Sequence, residues 1–171
     1  MKLRRIHRTR LIACVLAGMA SILLPALPSL AEITIWEQLD AEFQRDVLVI
    51  ETAENGCFRF DIHLAISPDQ QRRGLMHIRE LPEWSGMLFI YRRAGMKSMW
   101  MKNTYVPLDI VFARADGSIS SVIADTEPLS LRSLGSTEPV NFVLELNAGT
   151  SARLGIGAGS RLLLDSLALS N

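Results

Sequence analysis

The stretch "MKSMWMKNTYVPLDIVF", residues 96–112, sets Met96, Met99, Met101, Trp100, Lys97 and Lys102 within seven residues, then passes Pro107 into an apolar run that carries Asp109. Two chemistries fit these types at this spacing. On a strand, Met99 and Met101 share a face at roughly 6.6 Å along the backbone, near enough for two thioethers to converge on a soft ion such as Cu(I), with Met96, Met76 or His77 as further donors. All the methionines after residue 31 lie within 76–101, which makes the cluster notable. Methionine is also the usual filler of irregular cores, and no histidines or cysteines stand at paired ligand spacing. Packing is therefore the expected role of these side chains, and no metal or cofactor is assigned.

The second chemistry is polar. Lys102, Asn103 and Thr104 end a strand ahead of a proline turn, where loops present binding groups. Arg73, Arg79 and Lys102 together suit a carboxylate or phosphate held by charge-assisted hydrogen bonds, with Asn103 and Asp109 as further polar partners and Trp100 as a wall. Ordinary turns use the same residue types: Asp109 pairing with Arg79 or Lys102, and Asn103 and Thr104 satisfying backbone groups, is the plainer alternative. A hydrolase or transferase using Asp109, alone or with His77, is a third option. No serine sits in a nucleophile elbow, and "GIGAG", 155–159, lacks the strand and long helix that a dinucleotide loop needs. Spacing alone gives an enzyme no support.

The elements that must position these residues are mostly short strands. "DVLVIETAENGCFRFDIHLAI", 46–66, reads as a hairpin around Asn55-Gly56, with Phe58, Phe60, Ile62, Leu64 and Ile66 on one face and Cys57, Arg59, Asp61 and His63 on the other. Cys57 and His63 are then about 20 Å apart along the strand, too far for a dyad. "SPDQQRRGLM", 67–76, predicts a short helix with Ser67 as N-cap, Pro68 at its first position, Gln70 closing a capping box and Gly74 as the stop. Arg72 and Arg73 fall in its last turn, where their charge favours the negative end of the helix dipole. "GMLFIY", 86–91, is apolar on both faces and reads as a central strand. Around Trp100 alternation sends the indole to one side and Met99 and Met101 to the other. In "LDIVFAR", 108–114, it sends Leu108, Ile110 and Phe112 inward and Asp109 outward or into a cleft. Further strands are expected at 118–125, 140–146 and 161–167, with a helical turn near 148–154. Residues 32–45 are ambiguous. The sum is a mainly β single domain, a sandwich or barrel with two short helices.

Composition bounds the setting. Lys2, Arg4, Arg5, Arg8 and Arg10 precede an apolar run from Leu11 to about Leu24, too short to span a bilayer comfortably and suited to a signal peptide. Ser29-Leu30-Ala31 places cleavage after Ala31, leaving an extension at 32–45 and the β domain at 46–171. The expected location is periplasmic or secreted, with the membrane met only through the signal segment. An uncleaved anchor is the alternative. Past Ala31 the chain carries 13 Lys and Arg against 18 Asp and Glu, a net charge of −5, which disfavours nucleic acid as a partner. A small polar or anionic molecule, or a partner protein's carboxylate, fits the basic middle third. With Cys14 removed in the signal, Cys57 has no intramolecular partner.

Three segments, "RRGLMHIRELPEWSGMLFIY", "MWMKNTYVPLDIVFARADGSI" and "LELNAGTSARLGIGAGSRL", resemble the domain-of-unknown-function family 192, an uncharacterised family common among exported bacterial proteins. The resemblance runs from about Asp46 to Leu167. It implies a compact, jelly-roll-like β domain without an established activity. Carried over by position, the family's recurring polar residues fall on Arg73, Arg79, Lys102, Asn103, Thr104 and Asp109, beside Trp100. Met99 stands where members often have an aromatic residue, so a copper site using it would not be a family trait.

Overall fold

The computed structural model describes residues 30–167. The expected signal segment lies outside them apart from Leu30 and Ala31. Those two residues open helix α1 (Leu30–Asp40), which resolves the ambiguous stretch as helix up to Asp40.

Strands β1 (Gln44–Glu51) and β2 (Cys57–Ala65) form the expected hairpin, with Asn55 at φ 62 in the turn. The crossover from β2 to the parallel strand β3 (Ser85–Gly95) contains α2 (Pro68–Arg73). Local chemistry sets α2: the Ser67 hydroxyl accepts from the Gln70 N–H at 3.2 Å, and Gln70 Oε1 accepts from the Ser67 N–H at 3.0 Å. Pro68 holds the first turn, and the N–H of Gly74 at the C-cap returns to the Gln70 carbonyl.

After a two-residue strand β4 (Ser98–Met99) come β5 (Leu108–Ala113), β6 (Ile119–Ile123), a second two-residue strand β7 (Leu134–Gly135) and β8 (Val140–Asn147). Helix α3 (Thr150–Leu154) and β9 (Arg161–Leu163) complete the order, and a 3-10 turn replaces the expected continuation of that last strand.

Seven strands form one sheet in the order β6-β5-β8-β3-β2-β1-β9, while β4 and β7 pair separately. The sheet curls until its two edges nearly meet. The Ile119 N–H reaches the Ser160 carbonyl at 3.0 Å, and the Leu162 N–H reaches the Gly117 carbonyl at 2.8 Å. Residue 117 must be glycine for this closure, since its φ is +83 and a Cβ there would sit 2.2 Å from the Leu162 oxygen. The result is a mainly β, barrel-like single domain with short helices, as expected.

Each strand's alternation sorts side chains between two apolar layers. Phe60, Ile62, Leu88, Val111, Leu144 and Leu162 fill the inner layer. On the outer face of β3, β5 and β8, a second layer contains Met87, Phe89, Ile110, Phe112 and Val143, covered by Leu39 of α1, Leu75 and Ile78 after α2, and Met99, Met101 and Leu134 around β4 and β7. Burying each such side chain stabilises the fold by about 1.5–3 kcal/mol before entropy is counted. That cover is what gives the domain a second, non-barrel core.

Candidate functional site

The 96–105 segment lies across the outer layer, with strand limited to Ser98–Met99, and the expected alternation around Trp100 is present. Trp100 is 47% exposed while Met99 and Met101 are buried beneath it. Each thioether has its own polar neighbour: Tyr91 Oη for Met99 at 3.9 Å, Thr126 Oγ1 for Met101 at 3.2 Å, and Asn103 Nδ2 for Met76 at 3.9 Å. Among the described residues no group of three His, Cys, Asp or Glu side chains is arranged to hold a metal.

Of the six sequence-derived site residues, Arg79, Trp100 and Lys102 are exposed and Asn103 is half-buried. Lys102 Nζ lies 5.1 Å from the Trp100 ring centre, and the Arg79 guanidinium lies 4.5 Å above Tyr105. Neither cation has a carboxylate partner among the described residues. Between them, the His77 N–H binds the Asn103 carbonyl at 2.8 Å. Both residues sit at positive φ, 69 for His77 and 57 for Asn103, a conformation that costs most side chains about 1 kcal/mol or more. The loop at 129–131 joins the same face, since the Leu129 N–H reaches the Thr104 carbonyl and the Met101 N–H reaches that of Ser130, each at 3.0 Å.

Of the other two, Arg73 lines a small cavity with Trp100 but is held by local partners, and Asp109 points elsewhere. Arg73 is turned inward, donating to the carbonyls of Gly74 and Met76 and pairing with Glu42 at 3.3 Å. Asp109 is neither outward nor beside Lys102. It alternates with Ile110 and sits opposite Leu146, so it points to the inner face of the sheet, away from the layer under Trp100. There it is fully buried, with Oδ1 accepting from the N–H groups of Asp125 (3.0 Å) and Gly149 (3.1 Å) and Oδ2 from that of Ser151 (2.7 Å). These bonds tie β5 to the 125 turn and to the start of α3. The carboxylate is spent on architecture.

A second buried acid has no such partners. Glu145, mid-strand in β8, pairs in register with Met87 and Ile110 and so faces the outer layer. Gly86 permits β3 to lie this close, because a Cβ there would sit 2.6 Å from the Glu145 carbonyl oxygen. Glu145 is 4% exposed, and its Oε2 has no hydrogen-bond partner. Burial pushes its carboxyl up to about 8. Tyr91 is pushed up to about 12, by burial first and then by the Glu145 charge. Glu145 borders a cavity of about 20 Å³ shared with Arg73, Met76, Phe89, Met99, Trp100 and Thr104. Sequence reading missed it. The only signal was an acid between two leucines in the β8 strand, inside one of the three family-like segments.

His63 forms a third cluster. Its Nε2 lies 2.7 Å from Asp40 Oδ1, its ring lies 5.1 Å from that of Trp36, and Arg45 covers the same indole at 4.0 Å. Burial lowers the imidazole's pKa against the opposing pull of Asp40. The contact fastens α1 to β2. Cys57 is disulfide-bonded; the expectation that it lacks an intramolecular partner concerns the chain after Ala31, and Cys14 lies outside the described residues.

Fold and site define a small β-barrel domain with a cation-bearing aromatic face over a buried acid. The chain belongs to the DUF192 family, described as an uncharacterized ACR, whose model matches residues 49–164. It is similar to the crystal structure of a provisionally described transcription regulator from Sinorhizobium meliloti 1021, with 40% identity, a TM-score of 0.69, and coverage of 70% of this chain and 93% of that one. It is also similar to a protein of unknown function from Novosphingobium aromaticivorans DSM 12444, at 32% identity and a TM-score of 0.66 over 82% of this chain and 93% of that one. No curated protein matches significantly.

Proposed function

We propose that this chain is an exported binding domain that captures an anionic group, the carboxylate or phosphate of a small molecule or of a partner protein, on the face built by Arg79, Lys102 and Asn103 with Trp100 as its wall. One observation carries the reading: two cations without carboxylate partners among the described residues, each resting on an aromatic ring, stand on adjoining loops. A guanidinium or ammonium already stacked on an indole or phenol loses less side-chain freedom when an anion arrives, and keeps hydrogen-bond donors directed outward. Held at positive φ and joined by a backbone hydrogen bond, His77 and Asn103 tie together the two loops that carry Arg79 and Lys102. Backbone strain of this kind collects at binding sites. The net charge of −5 past residue 31 makes a local anion site a better fit than a nucleic-acid surface.

The test is calorimetric titration of the purified chain with acetate, succinate, phosphate and a peptide carrying a free C-terminus. At least one oxyanion should bind saturably, more weakly in high salt, and Arg79→Ala and Lys102→Ala should each weaken it about tenfold or more without unfolding the domain. Unchanged affinity in both variants, or no saturable oxyanion binding, defeats the reading. Cell fractionation of the tagged chain tests export, which retention in the cytosol would contradict.

A further inference from the structure

The cavity over Glu145 raises a question that the surface cations leave open: what satisfies a carboxyl that is 4% exposed and whose Oε2 has no partner? A buried polar group left unbonded costs free energy, and native structures seldom leave one so unless water or a ligand completes it. The cavity measures about 20 Å³, enough for one oxygen-sized group. Its charged neighbours beside Glu145 are Arg72 and Arg73, with Lys102 standing over the Trp100 wall. Arg72 pairs with Asp69, and Arg73 with Glu42 and two carbonyls. Both arginines are thus balanced by acids, and the cation beside the mouth that has no carboxylate partner among the described residues is Lys102, which favours an anion over an ammonium group.

An anion would ordinarily be repelled by a glutamate. Here burial raises the Glu145 carboxyl, and the neighbouring Arg72 and Arg73 are engaged by Asp69 and Glu42, so at neutral pH the group is an acid with an O–H to give. A carboxylic acid kept neutral by an apolar site is a strong donor to an oxyanion. Tyr91, whose phenol faces Met99, stays un-ionised over the same range and adds no charge.

We infer that Glu145 donates a hydrogen bond to one oxygen of a bound carboxylate, which enters beside Trp100 while the rest of the ligand lies on the Arg79 and Lys102 face. The inference rests on the anion-binding reading above and names its ligand class and its pH dependence. The donated proton stays shared between two oxygens, and no bond is broken. Loss of that proton turns a donor into a repelling charge, so carboxylate affinity falls as pH rises through about 8.

The probe is acetate, with inorganic phosphate and a peptide C-terminus as comparison arms, followed through the Trp100 indole N–H signal from about pH 6 to about pH 10. In the wild-type chain acetate affinity should be flat below the Glu145 midpoint and fall up to about tenfold per pH unit above it. Glu145→Gln, which keeps an N–H donor but cannot ionise, should bind with a flat profile. Glu145→Met, nearly isosteric and without a donor, should weaken acetate about tenfold at pH 7 and also lose the pH dependence. Acetate stronger than phosphate supports the class, and the peptide arm decides whether a free acid or a protein terminus is the better source. If acetate binds and responds to Arg79→Ala and Lys102→Ala, but its profile is flat in the wild type or unchanged in Glu145→Met, the cavity holds structural water. This inference then falls while the anion-binding face survives. If no oxyanion binds, both fall together.

Discussion

Asp109 and Glu145 are both buried carboxyl side chains on neighbouring strands of one sheet, and they differ in everything that decides what an acid does. Asp109 faces the inner layer and accepts three backbone N–H groups. Glu145 faces the outer layer with an unpartnered oxygen and is pushed up to about 8 by burial. The first holds a turn and a helix start in place. The second leaves its Oε2 unbonded and lies next to a cavity bordered by Arg73 and Trp100. The contrast shows that burial alone does not identify a functional acid: the donors around it do.

Mutation should separate the two acids most at Asp109. Replacing it with alanine leaves three N–H donors without their acceptor and should destabilise the domain by on the order of 3–5 kcal/mol in chemical denaturation. A loss under about 1 kcal/mol would erase the contrast. Glu145→Leu should do the reverse: near neutral below pH 5, and stabilising by a few kcal/mol above pH 8, where the wild-type carboxyl must ionise inside the protein.

The sign follows from the raised folded pKa. Between its ordinary value of 4.5 and about 8 the folded state binds the proton that the unfolded state has lost, so wild-type stability falls by about 1.4 kcal/mol for each pH unit across that window. His63 acts at the acid end. Its lowered pKa contributes stability that is present above pH 6.5 and is lost as pH falls towards the folded value, in wild type and Glu145→Leu alike. The difference between the two curves isolates Glu145, and parallel curves would contradict its assignment. At the small end, Lys102→Ala should shift stability by less than about 0.5 kcal/mol, because an exposed cation on an indole contributes little to folding. A larger shift would make the cation face structural.

What the sequence made legible was local. Ser67, Pro68, Gln70 and Gly74 specify α2 because a capping box and a stop act within one turn, and Asn55 turns the β1–β2 hairpin because it tolerates positive φ. The outward turn of Trp100 over Met99 and Met101 followed from alternation. The same rule misplaced Asp109, because β5 is buried on both faces and alternation there sorts residues between two cores instead of between core and water. Glu145 was hidden for the same reason. In "VNFVLELN" the face with Asn141, Val143, Glu145 and Asn147 looks solvated, and the elements that cover it lie far away in the chain, at 30–40, 74–81 and 98–106. A cover built from distant segments leaves no periodic signature in the strand beneath it.

The difference between the two acids is tested most directly by the carboxyl carbon-13 resonance of Glu145, followed by NMR as the folded chain is titrated from about pH 4 to about pH 10. The expected midpoint is near 8, with a single step that Glu145→Gln removes. A midpoint near 4.5 would mean that the buried carboxyl is already ionised and compensated at neutral pH, and the donor role drawn for it here would be wrong.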